Sequence, residues 1–180
     1  MPNFLRIIGA SLAAACTAIA PSAAHAQDTD SDSRAFLVTP LSFVKQTDLD
    51  FGQIIPTTTA GTVAMDSNGN VTTTGGVIQV DGTQEPALFW GYGSFNQTVL
   101  INIDQNTYTL TRQGGTDTML LDQVTIGSAP PIIISTSPRR FRIANPNGFF
   151  AFTIAGRLQV AANQPGGVYE STITVTLEYE

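Results

Sequence analysis

The sequence predicts an all-β, antiparallel two-sheet β-sandwich, and three observations carry that prediction. Apolar and polar residues alternate with a period of two along much of the chain, giving each strand one dry and one wet face. Gly, Pro and Asn clusters punctuate it about every 8–12 residues, the spacing of short antiparallel strands. No convincing helical segment is found.

The first element precedes the sandwich. Residues 1–26 read as a secretory signal peptide: Arg6 leads an apolar, alanine-rich run that closes on Ala24-His25-Ala26, a small-x-small cleavage site before Gln27. Cys16 raises a lipoprotein alternative, but Ala13 stands where a leucine-like residue is expected, so the later site is the better cut. Export to the periplasm, outer surface or medium of a Gram-negative bacterium follows. No segment reaches the roughly 20 apolar residues of a helical span, so stable membrane insertion is not expected.

Cleavage leaves 154 residues, about one domain. It removes Cys16 and His25, the only cysteine and histidine. Thiol catalysis, a Ser-His-Asp triad and common zinc sites are thereby excluded, as are disulfides. Arg6 also leaves, so seven basic residues face fourteen acidic ones, with Lys45 the only lysine. Such a balance repels nucleic acid. No paired carboxylates stand out for glycoside hydrolysis. We expect no enzyme, no cofactor and no bound metal.

Residues 27–34 read as an acidic, flexible tail. Its Asp28, Asp30 and Asp32 resemble the start of a calcium loop, but Ser33 and Thr39 stand where an EF-hand needs Gly and Glu. Residues 35–180 form the single β-sandwich domain. Phe36, Leu37 and Val38 read as its first strand, or as a donor strand, bent at Thr39-Pro40 because proline removes a ladder N–H. Further strands follow in "GTVAM", "GVIQV", "ALFW", "QTVLINID", "TYTLTR", "MLLDQVTI", "PIIIS" and "AFTIAGRLQV". Turn chemistry separates them at Asn68-Gly69, Gly75-Gly76, Asp81-Gly82, Gly114-Gly115, Asn145 to Gly148 and Gln164 to Gly167. Arg139, Arg140 and Arg142 read as a solvated strand or loop face rather than an anion site. In "LFWGYGSF", Phe89 reads as core. Trp90 and Tyr92 read as partial sheet cover, or as a platform on which a sugar stacks.

The last element is "NQPGGVYESTITVTLEYE". Tyr169, Ile173, Val175, Leu177 and Tyr179 fall on one face; Glu170, Thr172, Thr174, Thr176 and Glu178 fall on the other. With Gly167 this pattern resembles the C-terminal signature of chaperone–usher pilus subunits. The order of "DLDFG", "TGG", "GRLQV" and "QPGGVY…ITVTLEY" is similar to a family of secreted bacterial proteins, domain of unknown function family 4402, allied in pattern to spore coat protein U and to pilins. The likeness covers most of residues 35–180. It implies an Ig-like or pilin-like β-sandwich and a non-enzymatic structural or surface-assembly subunit, pilin-like or coat-like, whose final strand borders a groove, filled by strand addition from a periplasmic chaperone or a like subunit. The alternative is a secreted glycan- or ligand-binding β-sandwich.

Four large apolar side chains in such a groove are worth about 6–12 kcal/mol as an upper bound. That rivals a whole domain's stability of about 5–15 kcal/mol. Residues 27–34 are too polar to act as a donor, and the disulfide usual in pilins is missing. These departures favour a self-complete sandwich, with the final strand hairpinned onto "AFTIAGRLQV" through Pro165-Gly166-Gly167.

Overall fold

The computed structural model describes Ala35, residues 37–80, Gly82, and residues 84–129, 132–136 and 139–180. Residues 1–34, where a signal peptide and an acidic tail are expected, and Phe36 lie outside the described residues. Every regular element among those described is a β-strand, and every pairing is antiparallel. In chain order they are β1 (Ser42–Thr47), β2 (Gln53–Met65), β3 (Val71–Val80), β4 (Ala87–Tyr92), β5 (Thr98–Ile103) and β6 (Tyr108–Arg112). Then come β7 (Thr118–Ala129), β8 (Ile132–Thr136), β9 (Arg139–Arg142), β10 (Phe149–Val160), β11 (Tyr169–Glu170) and β12 (Val175–Tyr179).

Eight strands form one sheet, centred on β10. One flank of β10 carries β7, followed by β6 and β11. The other flank is shared: Phe149–Ile154 pairs with β4, which is bordered by β1, while Arg157–Val160 pairs with β2, which is bordered by β3. The second sheet runs β12-β5-β9-β8. Inward residues of both sheets meet in one core cluster: Phe89, Phe150, Phe152 and Ile154 from the larger sheet, Val99, Ile101 and Phe141 from the smaller. A second cluster gathers Phe51, Val63, Met65, Tyr108, Leu121 and Leu158.

Local chemistry explains several motifs. In "DLDFG" the Gly52 N–H donates to Asp50 Oδ1 at 2.7 Å, and Gly52 takes φ +68°, a left-handed conformation suited to glycine. The turn drives Phe51 into the core. Gly75-Gly76, expected as a turn, lies inside β3 instead. There β2 runs five residues from Pro56 to Gly61 while β3 runs only two, from Val77 to Gly75. The bulge brings Thr59 O and Thr57 Oγ1 within 2.3 Å of where a Cβ on Gly76 would sit, so only glycine fits beneath it.

Three expectations about the chain's outer parts are corrected. The first strand begins at Ser42, and Leu37 and Val38 belong to no strand. The backbone of Thr39 is drawn off the ladder, its N–H donating to Ser94 Oγ and its carbonyl accepting from the Tyr179 hydroxyl. Leu37 is 99% exposed. Second, the final strand does not hairpin onto β10, because both flanks of β10 are already taken. The chain instead turns at Asn163 (φ 52°) and buries Gln164, whose amide donates to Thr118 O and to the Tyr169 hydroxyl. That leads it to β6. Third, Tyr169 to Tyr179 is not one strand. β11 ends at Glu170 on the larger sheet, and β12 begins at Val175 on the smaller. At the crossing Thr174 N–H donates to Asp104 Oδ1, and Ile173 packs against both core clusters.

Candidate functional site: an open seam beside the last strand

β12 is an edge strand. It pairs with β5 from Val175↔Ile103 to Tyr179↔Val99, and no described strand lies on its other side. Because directly paired residues share a face, Val175, Leu177 and Tyr179 point inward with buried Val99 and Ile101. Yet all three are only half-buried. Leu41 and Leu49 pack against the same cluster and are half-buried too.

The seam reaches β1, an edge of the larger sheet. Phe43 is paired with Gly91 and so faces inward, its ring centroid 6.1 Å from Phe89 and 6.2 Å from Phe152. It nevertheless remains 38% exposed. Tyr179 ties the two rims together: its hydroxyl donates to Thr39 O and accepts from Ser94 N–H, both at 2.7 Å. Gly93 makes room for this latch, since a Cβ there would lie 2.6 Å from the hydroxyl and 3.0 Å from Leu41 Cδ1. A row of half-covered apolar side chains beside a free backbone edge is able to take one more strand.

Of the residues predicted from the sequence, Val175, Leu177 and Tyr179 come together at this seam. Ile173 lies at the crossing between sheets. Tyr169 is elsewhere, paired with Arg112, its hydroxyl donating to Pro165 O. Gly167 lies against the Arg112 stem, with Cγ and Cδ 2.9 and 2.8 Å from where its Cβ would stand. Leu41, Leu49 and Phe43 are members that sequence reasoning missed; packing on the core cluster reveals the two leucines, and the pairing of β1 with β4 reveals Phe43.

Trp90 and Tyr92 lie on the other face of β4, which points outward. Phe149, paired with Tyr92, and Val44, paired with Trp90, join them. The Trp90 and Phe149 rings meet edge to face with centroids 6.0 Å apart.

The perturbed ionisable groups are scattered and locally partnered. Asp66 is held below the usual carboxylate range, first by the Asn70 side chain and then by backbone N–H groups of its own turn. Asp104 is lowered chiefly by the Tyr108 hydroxyl, which donates to it at 2.5 Å. Burial, with Asp104 beside it, pushes Tyr108 up to about 12. Asp122 is lowered mainly by Arg157. Arg140 pairs with Glu180 at 2.6 Å, while Phe141 between the arginines is core. Among the described residues no group of three His, Cys, Asp or Glu side chains is placed to hold a metal, and no helix is long and apolar enough to cross a membrane.

These features define an antiparallel β-sheet protein whose last strand has no described strand on its outer side. The chain matches the family model described as Domain of unknown function (DUF4402) over residues 41–179, and it belongs to that family. No curated protein and no solved structure matches it.

Proposed function

We propose that this protein is an exported, non-enzymatic assembly subunit, a pilin-like β-sandwich that accepts an added strand along the outer edge of β12. One observation carries the reading: the edge of β12 that no described strand pairs carries Val175, Leu177 and Tyr179, inward but half-covered. The donor is residues 35–38 of a second copy, with a periplasmic chaperone filling the same place during export. Leu37 and Val38 suit that role, being apolar, exposed and unused by either sheet. The signal-like residues 1–26 agree with export.

The test adds a peptide copying residues 35–45 to the mature protein and follows thermal unfolding. A ligand that binds only the folded state raises the midpoint with concentration; at one hundred times its dissociation constant it adds about 2.7 kcal/mol. We expect such a rise, and a much smaller one from the same peptide carrying Leu37→Asp. An unchanged midpoint at millimolar peptide would overturn the strand-accepting reading.

A further inference from the structure

The outward face of the larger sheet carries a second surface, independent of the seam. Trp90 is 45% exposed, Tyr92 50% and Phe149 41%, with exposed Val44 alongside. The register makes them one patch. Val44, Trp90 and Ala151 form one row across β1, β4 and β10, and Ser42, Tyr92 and Phe149 form the next. Exposed aromatic clusters of this kind on a soluble fold mark interaction sites.

Next to the patch this face is covered. Thr153 Oγ1 donates to Ser67 O at 2.8 Å, and Ser67 presses so close to Gly127 that a Cβ there would sit 2.2 Å from its own. The β2–β3 turn thus lies over Thr153 and Gly127 and leaves the aromatic residues beside them open. No Asp, Glu, Lys or Arg stands among the outward residues of β1, β4 and β10 in this patch, in a chain of net charge −6. An anionic ligand is repelled by the whole, and a cationic one finds no carboxylate here to pair with.

We propose that this platform binds a neutral polysaccharide by stacking. A pyranose ring offers a face of weakly positive C–H groups, which matches the negative face of an aromatic ring. Its hydroxyls point to the rim, where the Ser42 and Tyr92 hydroxyls are placed to meet them. Neither partner brings a charge, so no ion is desolvated.

Trp90 is the only tryptophan, so its emission reports on the platform directly. The mature protein is titrated with cellohexaose, maltohexaose and chitohexaose, and with hexagalacturonate as an anionic counterpart. We expect a saturable change in Trp90 emission with at least one neutral hexamer and none with hexagalacturonate. Tyr92→Ala and Phe149→Ala should each weaken that binding at least tenfold while the unfolding midpoint stays in place. Tyr92→Phe, which keeps the ring, should stay within about threefold. No response to any neutral hexamer, or a response to the anionic one alone, overturns the proposal. So does an emission change that follows protein concentration without glycan and coincides with a dimer in sedimentation, which would assign the face to a second copy.

Discussion

Asp122 and Arg157 face each other across β7 and β10 and show how single residues hold this fold. The guanidinium is bidentate, with Nε 2.8 Å from Oδ1 and Nη2 2.9 Å from Oδ2; Gln159 Nε2 adds a third bond at 2.6 Å. The pair stands beside a bulge, where Gln123 takes φ 48° and β7 carries one more residue than β10. These donors lower the Asp122 carboxyl below its ordinary 3.8, so the folded state binds its proton less readily than the unfolded chain. The pair's contribution is therefore present above pH 3.8 and lost as pH falls through the lower folded value. The pair is partly exposed and screened by solvent, so the effect is small. Asp122→Asn should lower the midpoint at pH 7 by roughly 2–4 °C and flatten its decline between pH 4 and pH 2. An unchanged acid slope in differential scanning calorimetry would show that the pair does not couple to folding.

At the scale of elements, the glycine within "LFWGYG" is the informative position. Gly91 sits on the inward face of β4, paired with Phe43 on one side and Phe150 on the other. A Cβ there would come within 2.1 Å of the Phe150 ring. That ring is fully buried and packs against Phe141 with centroids 5.3 Å apart. The missing side chain is thus what lets β10 place a phenylalanine between the sheets. Gly91→Ala should cost about 1–3 kcal/mol, since overpacking a close-packed core forces side chains off their rotamers. Chemical denaturation checks this, and restoration of stability by the added change Phe150→Leu would tie the cost to that contact. A fully stable Gly91→Ala would mean that the ring moves aside freely.

For the whole molecule, what was legible in the sequence is most of the strands of the interior, and what was not is their ends and their arrangement. "QTVLINID", "TYTLTR" and "AFTIAGRLQV" announce themselves because alternation is local. The parity that buries Phe89 also turns Trp90 and Tyr92 outward. Partners are non-local. The Pro165-Gly166-Gly167 turn suggests a hairpin, yet β10 is already paired with β7, β4 and β2, whose claims on it no local pattern reveals. Phe149 and Phe43 are found only once register is known. The same non-locality gives the last residues their weight. Ile173 touches both core clusters as the chain changes sheets, and Tyr179 then latches Thr39 and Ser94 across the seam. A chain ending at Thr176 loses that latch together with the Leu177 and Tyr179 side chains. Full burial of two such side chains is worth about 3–6 kcal/mol; half-covered as they are, about 2–3 kcal/mol remains. For a domain of this size that lowers the midpoint by roughly 5–10 °C. Tyr179→Phe, which removes only the hydroxyl and keeps the ring, should fall between the cut chain and the intact one. Equal midpoints for the cut and intact chains would show that β12 adds nothing to the stability of the isolated chain.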